Sequence, residues 1–369
     1  MSIESTAVLF DGPGTEPYFG TVTVREPRGS EVLLRMTAAG VCHSDLHVVN
    51  GDWPYDHRLA LGHEGTGVVA QVGPDVTDLE VGDHVLLSWF ATCGGCPACI
   101  EGETWLCSRS STVVNGAPDG QTPLTAPDGR DVRPYLGVGT FSEYVLAGRR
   151  SVVKIPADFP ADVAALIGCS ILTGYGAVVN TAAMPIGQRA LVAGCGGVGQ
   201  AILMSLGLVH AETIIAVDVS ETQLDLALDL GATHALDAND PDLVERVQEI
   251  SGGGVDYAFD AIGRPGTAAL LPSLVRQGGA SVLVGMPRRD ATAPIPTWPI
   301  VAMNQRILGC NYGSSNIQID FPRIVGLYRS GRLDLDRLVG RRIPHSRTVQ
   351  ALFDLPTHTG GRTVVDFSA

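Results

Sequence analysis

The sequence predicts an α/β chain in which a doubly wound parallel sheet follows a mainly β first domain. Strand, glycine loop and helix alternate from about residue 161, the pattern that lays parallel strands between helices on both faces. The first third is instead rich in Gly and β-branched residues, with short runs broken by closely spaced turn signals. The composition supplies material for sizeable cores. Its 369 residues are 45% hydrophobic and 17% charged, which excludes wholesale disorder and fits two or three domains of roughly 150 residues.

In chain order, residues 31–37 and 67–72 read as strands, with turns at 73–75 and 81–83. Residues 115–137 hold proline turns and little apolar periodicity, so a surface loop is expected. The run ADVAALIGCSILTGYGAVV predicts a helix. Residues 163–188 carry no charge, but Gly168, Gly174, Gly176, Asn180 and Pro185 interrupt them, so a buried helix and turn is expected rather than a membrane span. Strands are then predicted at 190–193, 213–217, 255–260 and 280–284, and helices at 198–208, 221–230 and 242–250. After about residue 311 the pattern loses regularity, which predicts a return to the first domain.

Charge narrows the function classes. A net charge of −14 disfavours non-specific nucleic-acid binding and docking on anionic membranes. The start, MSIESTAVLFDGPG, lacks the basic segment and long apolar run of a signal peptide. With no export signal, the clustering among the eight cysteines reads as metal ligation in a reducing compartment, and a cytoplasmic location is expected.

Two motifs arise from local spacing. In ALVAGCGGVG an apolar run enters G-x-G-x-x-G and then a helix. Gly194 permits the tight turn, Gly196 and Gly197 let backbone amides approach a pyrophosphate, and Gly199 permits close helix–strand contact. The helix beginning at Val198 adds partial positive charge. The next strand ends in Asp218, a carboxylate placed to accept from both adenosine ribose hydroxyls and to repel a 2′-phosphate, so NAD is expected over NADP. Separately, Cys93, Cys96, Cys99 and Cys107 put four thiols in one short loop, the pattern of a structural zinc site.

A second metal set is possible from Cys42 in GVCHSDLH, His63 in GHEGTG and Cys169 in GCS. Two sulfurs and one imidazole leave a fourth position open, as catalytic zinc requires. From the residues alone the plainer reading stays open: buried cysteines are ordinarily core, and a histidine beside glycine can serve a turn.

Taken in order, GVCHSD, GHEGTG, the four-cysteine loop, GCSILTGYGA and AGCGGVG resemble the zinc-dependent medium-chain alcohol dehydrogenases over essentially the whole chain. The 107–137 loop, FSEYVLA and AIGRPGT look most like the class III-like bacterial branch, which includes thiol-adduct formaldehyde dehydrogenases and broad alcohol dehydrogenases. The resemblance implies a GroES-like catalytic domain (1–170), a Rossmann NAD domain (171–311) and a C-terminal return (312–369). It implies two zinc ions per subunit, one held by Cys42, His63 and Cys169 with Glu64 just behind, and one by the four-cysteine loop.

The resemblance also implies roles for neighbouring residues. Ser44 hydrogen-bonds the substrate alcohol, His47 ends its proton relay, and Asp45 orients His63. Thr173 and Val198 flank the nicotinamide, while His43 and Arg362 contact the pyrophosphate. Trp53, Trp89, Tyr135 and Met286 wall the pocket, implying a primary alcohol or aldehyde with a hydrophobic or aromatic tail, and the assembly is expected to be a homodimer or homotetramer. Two departures stand out: Gln223 replaces a lysine that often supports the ribose, and the arginine that anchors a glutathione adduct has no match, Ser111 falling near it and Arg109 offset. The alternatives are a thiol-adduct formaldehyde dehydrogenase, a metal-free reductase of activated double bonds, and a non-catalytic NAD- and zinc-binding sensor.

Overall fold

Within the strand Arg189–Ala193, Ala190 and Val192 are buried on one face while Leu191 and Ala193 are buried on the other. A strand buried on both sides belongs inside a sheet covered by two helical layers. The computed structural model, which describes residues 2–110 and 121–368, places it so. The strands run in the order His234–Asp237, Thr213–Asp218, Arg189–Ala193, Val255–Asp260, Val275–Leu283 and Arg306–Gly309, all parallel. The order reverses beside Arg189–Ala193, where ligands of such sheets bind.

Several elements depart from the expected bounds. The last predicted inner strand starts earlier, at Val275, because it follows directly on the helix Pro265–Leu274 and absorbs a glycine turn at Gly278 (φ +75°). The four-residue edge strands His234–Asp237 and Arg306–Gly309 are too short to show a period. Past residue 311 a regular helix, Ile317–Arg329, stands where little order is expected. It contains Pro322, and Asn316 caps it by accepting from the Gln318 N–H. Ser111 and the 115–120 part of the predicted surface loop lie outside the described residues.

The first part of the chain, joined by two strands from near the C-terminus, forms two β units. A small closed barrel joins Ile3–Phe10, Tyr18–Val24, Leu124–Thr125, Asp131–Pro134 and Leu59–Ala60. A larger sheet runs Val152–Lys154, His84–Leu87, Glu64–Val72, Glu31–Gly40, Arg362–Asp366 and Val339–Pro344, with Tyr144–Gly148 also paired to Glu31–Gly40. Within this sheet Gly40 pairs with Glu64 on one side and with Val364 on the other. That register brings Cys42, His63 and Arg362 to one end of three neighbouring strands.

The helical run Ala161–Thr181 packs across this end and is continuous through position 170. Of its most apolar 18-residue window, 89% is buried inside the protein, so it is a core helix. Its glycines serve close approach: a Cβ on Gly176 would lie 2.1 Å from the Gly313 carbonyl oxygen.

Candidate active site and metal centres

Cys42 precedes the helix His43–Val49, and His63 immediately precedes the strand Glu64–Val72. Cys169 lies in the π-helical turn Ile167–Ile171 of the core helix. Tyr312 donates to the Gly168 carbonyl (2.5 Å) and shares a hydrogen bond with Ser88 (3.0 Å), which fixes that turn. The donor atoms of Cys42, His63, Glu64 and Cys169 lie within 4.8 Å of one another, all buried.

This cluster fits a zinc ion. Nε2 of His63 and Oε2 of Glu64 are buried with no hydrogen-bond partner among the described residues, which buried polar atoms avoid unless a ligand satisfies them. The other His63 nitrogen, Nδ1, lies 3.1 Å from Asp45 Oδ1, a carboxylate that also accepts from the Gly62 N–H (3.0 Å). Such a carboxylate sets the ring orientation of a metal-binding histidine. The hydrogen bond from Cys169 holds the Cys42 thiol well below its usual range against the effect of burial, and Arg362 adds to this. That same bond and burial push Cys169 well up, so a second thiolate there needs a cation. Arg362 donates to Glu64 (2.7 Å) and to Cys42 (3.4 Å). Even beside it, burial pushes Glu64 up to about 7.

The sulfurs of Cys93, Cys96, Cys99 and Cys107 form the second cluster, also within 4.8 Å of one another. The Cys93 N–H donates to Cys107 Sγ (3.2 Å) and the Gly95 N–H to Cys93 Sγ (3.5 Å). The Gly95 amide pulls the Cys93 thiol down to about 6, while desolvation pushes Cys99 up to about 12. Four thiols in that arrangement suit a structural zinc ion. The lobe has little core of its own, since the turn of helix Pro97–Ile100 buries none of its residues and both Ile100 and Leu106 are exposed.

At the glycine turn, Gly194 has φ +91°, and a Cβ on Gly199 would fall 1.8 Å from the Gly194 carbonyl oxygen. Only glycine fits either place. Asp218 accepts from the Cys195 N–H (2.7 Å) and the Ser220 N–H (3.0 Å), which fixes its carboxylate beside the turn. The Arg362 guanidinium lies over Gly197. Gln223 accepts from the Gly360 N–H (3.1 Å), so its side chain is already engaged in tying the C-terminal segment to this domain. Thr173 is buried, Val198 half-buried and His43 exposed.

Two family models match, the alcohol dehydrogenase GroES-like domain over residues 28–157 and the zinc-binding dehydrogenase over residues 197–329. The S-(hydroxymethyl)glutathione dehydrogenase of Paracoccus denitrificans is 34% identical over 332 residues, 86% of this chain and 88% of its own. Among solved structures, an alcohol dehydrogenase zinc-binding domain protein from Burkholderia ambifaria superimposes with a TM-score of 0.94 at 34% identity. The benzyl alcohol dehydrogenase of Acinetobacter calcoaceticus does so with 0.92 at 30% identity, and both alignments cover 99% of each chain. The chain belongs to the zinc-dependent medium-chain alcohol dehydrogenases. It is an oxidoreductase acting on CH–OH groups, with a GroES-like N-terminal domain, a Rossmann-type sheet, and the nicotinamide dinucleotide binding that the family implies.

The aromatic residues of this dehydrogenase lie at different depths. Tyr135 is wholly buried, edge-on to His63 at 5.8 Å, with its hydroxyl donating to the Ser44 carbonyl (3.0 Å). Trp53 stacks on His47 at 4.8 Å, and its Nε1 donates to the Pro287 carbonyl (3.0 Å). Trp89 lies against Tyr312 at 4.4 Å. Met286, about half exposed, lines a cavity of about 290 Å³ with Trp105, Leu106 and Asn311. Sequence reasoning missed Leu106, Tyr312 and Asp52, and none of the three carried a signal in the sequence, since the exposure of Leu106 emerges only in the fold.

Proposed function

We propose that this dehydrogenase interconverts a primary alcohol bearing a hydrophobic or aromatic tail and its aldehyde, with NAD as the hydride carrier. The observation that carries the reading is the buried convergence of Cys42, His63 and Cys169 with His63 Nε2 left unpartnered. A zinc ion held by these three residues, with Glu64 behind, supplies the Lewis acidity that lowers the pKa of an alcohol towards neutrality. The second zinc ion of each subunit, on the four cysteines, holds the lobe together. NAD held along Gly194, Gly196, Gly197, Val198 and Gly199, with Asp218 on the ribose and His43 and Arg362 on the pyrophosphate, supplies the hydride acceptor. Thr173 packs beside the nicotinamide.

Ser44 and His47 stand three residues apart on one helix and so share a face. Ser44 takes the alcohol proton, and His47 delivers it to solvent, a task suited to imidazole. We assign residues 1–170 and 312–369 to the catalytic part and 171–311 to the cofactor part, in a cytoplasmic homodimer or homotetramer. A second reading, oxidation of a thiol adduct of formaldehyde, is favoured by the Paracoccus denitrificans relative. A panel of alcohols followed by NADH absorbance, with and without glutathione, separates the two. Turnover of benzyl-type alcohols without thiol supports the first, and turnover confined to formaldehyde plus glutathione supports the second.

Cofactor choice gives a further expected result. Asp218→Gly removes both the charge that repels a 2′-phosphate and the ribose contact. A hydrogen bond to a charged group is worth about 1.5–3 kcal/mol, so kcat/KM with NAD is expected to fall about 10- to 100-fold while the NAD/NADP ratio shrinks. An unchanged ratio would show that Asp218 does not read the ribose.

A further inference from the structure

His47 is not a lone imidazole. Its Nδ1 lies 2.8 Å from Oδ2 of Asp52, with both side chains partly buried. The geometry comes from the end of its own helix. His43–Val49 stops at Asn50, and Gly51 (φ +78°) turns the chain back, so that the Asp52 and Trp53 N–H groups both donate to the His47 carbonyl (2.9 and 3.3 Å). Trp53 then covers one face of the ring, its plane 28° from that of the imidazole.

The cofactor domain closes the arrangement from the opposite side. In the loop after the strand Val275–Leu283, the Pro287 carbonyl accepts from Trp53 Nε1 (3.0 Å) and Arg288 Nη1 lies 3.4 Å from the second Asp52 oxygen, Oδ1. The charged and titratable groups around His47 are thus Asp52 at its Nδ1, His43 one turn back on its helix, and Arg288 with Asp290 on the facing loop.

We propose that Asp52 is a positioning residue for the relay, forming an Asp–His pair that fixes His47 with Nδ1 protonated and Nε2 free to accept, and that Arg288 ties this pair to the cofactor domain. The inference rests on the relay reading of Ser44 and His47. An ionised carboxylate is acceptor-only, so the ring nitrogen facing it carries the proton and the other is left basic. The alcohol proton enters the relay at Ser44, and the relayed proton arrives at Nε2 of His47. The imidazolium so formed lies beside the Asp52 carboxylate, and the cation then releases one proton to water. Arg288 is more than half exposed and its ion pair long, so it tunes the arrangement rather than making it.

The test measures the single-turnover rate of alcohol oxidation against pH in the zinc-loaded enzyme with saturating NAD, for Asp52→Asn, Asp52→Glu and His47→Gln. Removing the carboxylate charge is expected to lower the rate about tenfold near neutral pH, below the about 10²-fold lower end of general-base effects, because water partly bypasses a relay end. The substrate KM and the zinc content stay at wild-type values. The deficit closes as pH rises and hydroxide takes the proton, imidazole buffer restores much of the rate, and Asp52→Glu recovers part of it. Arg288→Gln is expected to change the rate by less than about fivefold. If Asp52→Asn alters thermal stability alone, with a pH profile overlaying the wild type and no buffer rescue, Asp52 merely closes the helix and the proposal is overturned. His47→Gln separates the levels: if it slows the reaction while Asp52→Asn does not, only the Asp52 inference falls, and if neither variant slows it, the relay reading falls with it.

Discussion

Cys169→Ser is expected to leave a folded chain that binds NAD and keeps one zinc ion, while alcohol oxidation falls by at least about 10³-fold. A serine hydroxyl is a poor replacement for a soft sulfur donor. The Lewis acidity at stake is worth several kcal/mol, and each 1.36 kcal/mol is about tenfold in rate. The fold should tolerate the change because the turn carrying Cys169 is held through backbone. Tyr312 binds the Gly168 carbonyl, and the surrounding helix is buried on the β sheet. Elemental analysis, NAD titration by fluorescence and turnover on the same preparation check all three parts. Wild-type turnover in a chain with one zinc ion would remove Cys169 from the catalytic centre.

Cys99→Ser is expected to do the reverse. Its lobe exposes Ile100 and Leu106 and buries little besides Cys96, Cys107 and Thr104, so the metal substitutes for a core. Loss of a structural metal belongs among the changes that exceed about 4 kcal/mol. At about 2–4 °C per kcal/mol for a large domain, the melting midpoint should drop by about 8–16 °C. Thermal melts of the two serine variants side by side provide the check. Equal drops would contradict the division between a chemical and a structural site.

What could be read in advance depended on how locally each demand is encoded. The glycine turn is legible because Gly194 and Gly199 answer stereochemical demands made within six residues. The four-cysteine lobe is legible because its ligands share one loop. Cys42, His63 and Cys169 belong together only through the Gly40–Glu64 register and the packing of the core helix, neither of which spacing shows; the family resemblance supplied the set. Asp52 adjoins Trp53, a residue read as pocket wall, but its own contact with His47 exists only because Gly51 reverses the chain. Tyr312 acts on a carbonyl in a π-helical turn, a local geometry that apolar periodicity does not report. The short edge strands failed for a simpler reason, having too few residues to alternate.

Zinc content measured together with turnover during stepwise chelation decides whether the buried Cys42, His63 and Cys169 cluster is the catalytic metal centre. Two zinc ions per chain are expected, with activity lost in proportion to one of them while the far-ultraviolet circular dichroism stays native, and restored when that ion is returned. A fully active, folded chain holding one ion or none, or activity that survives removal of both, would contradict that assignment.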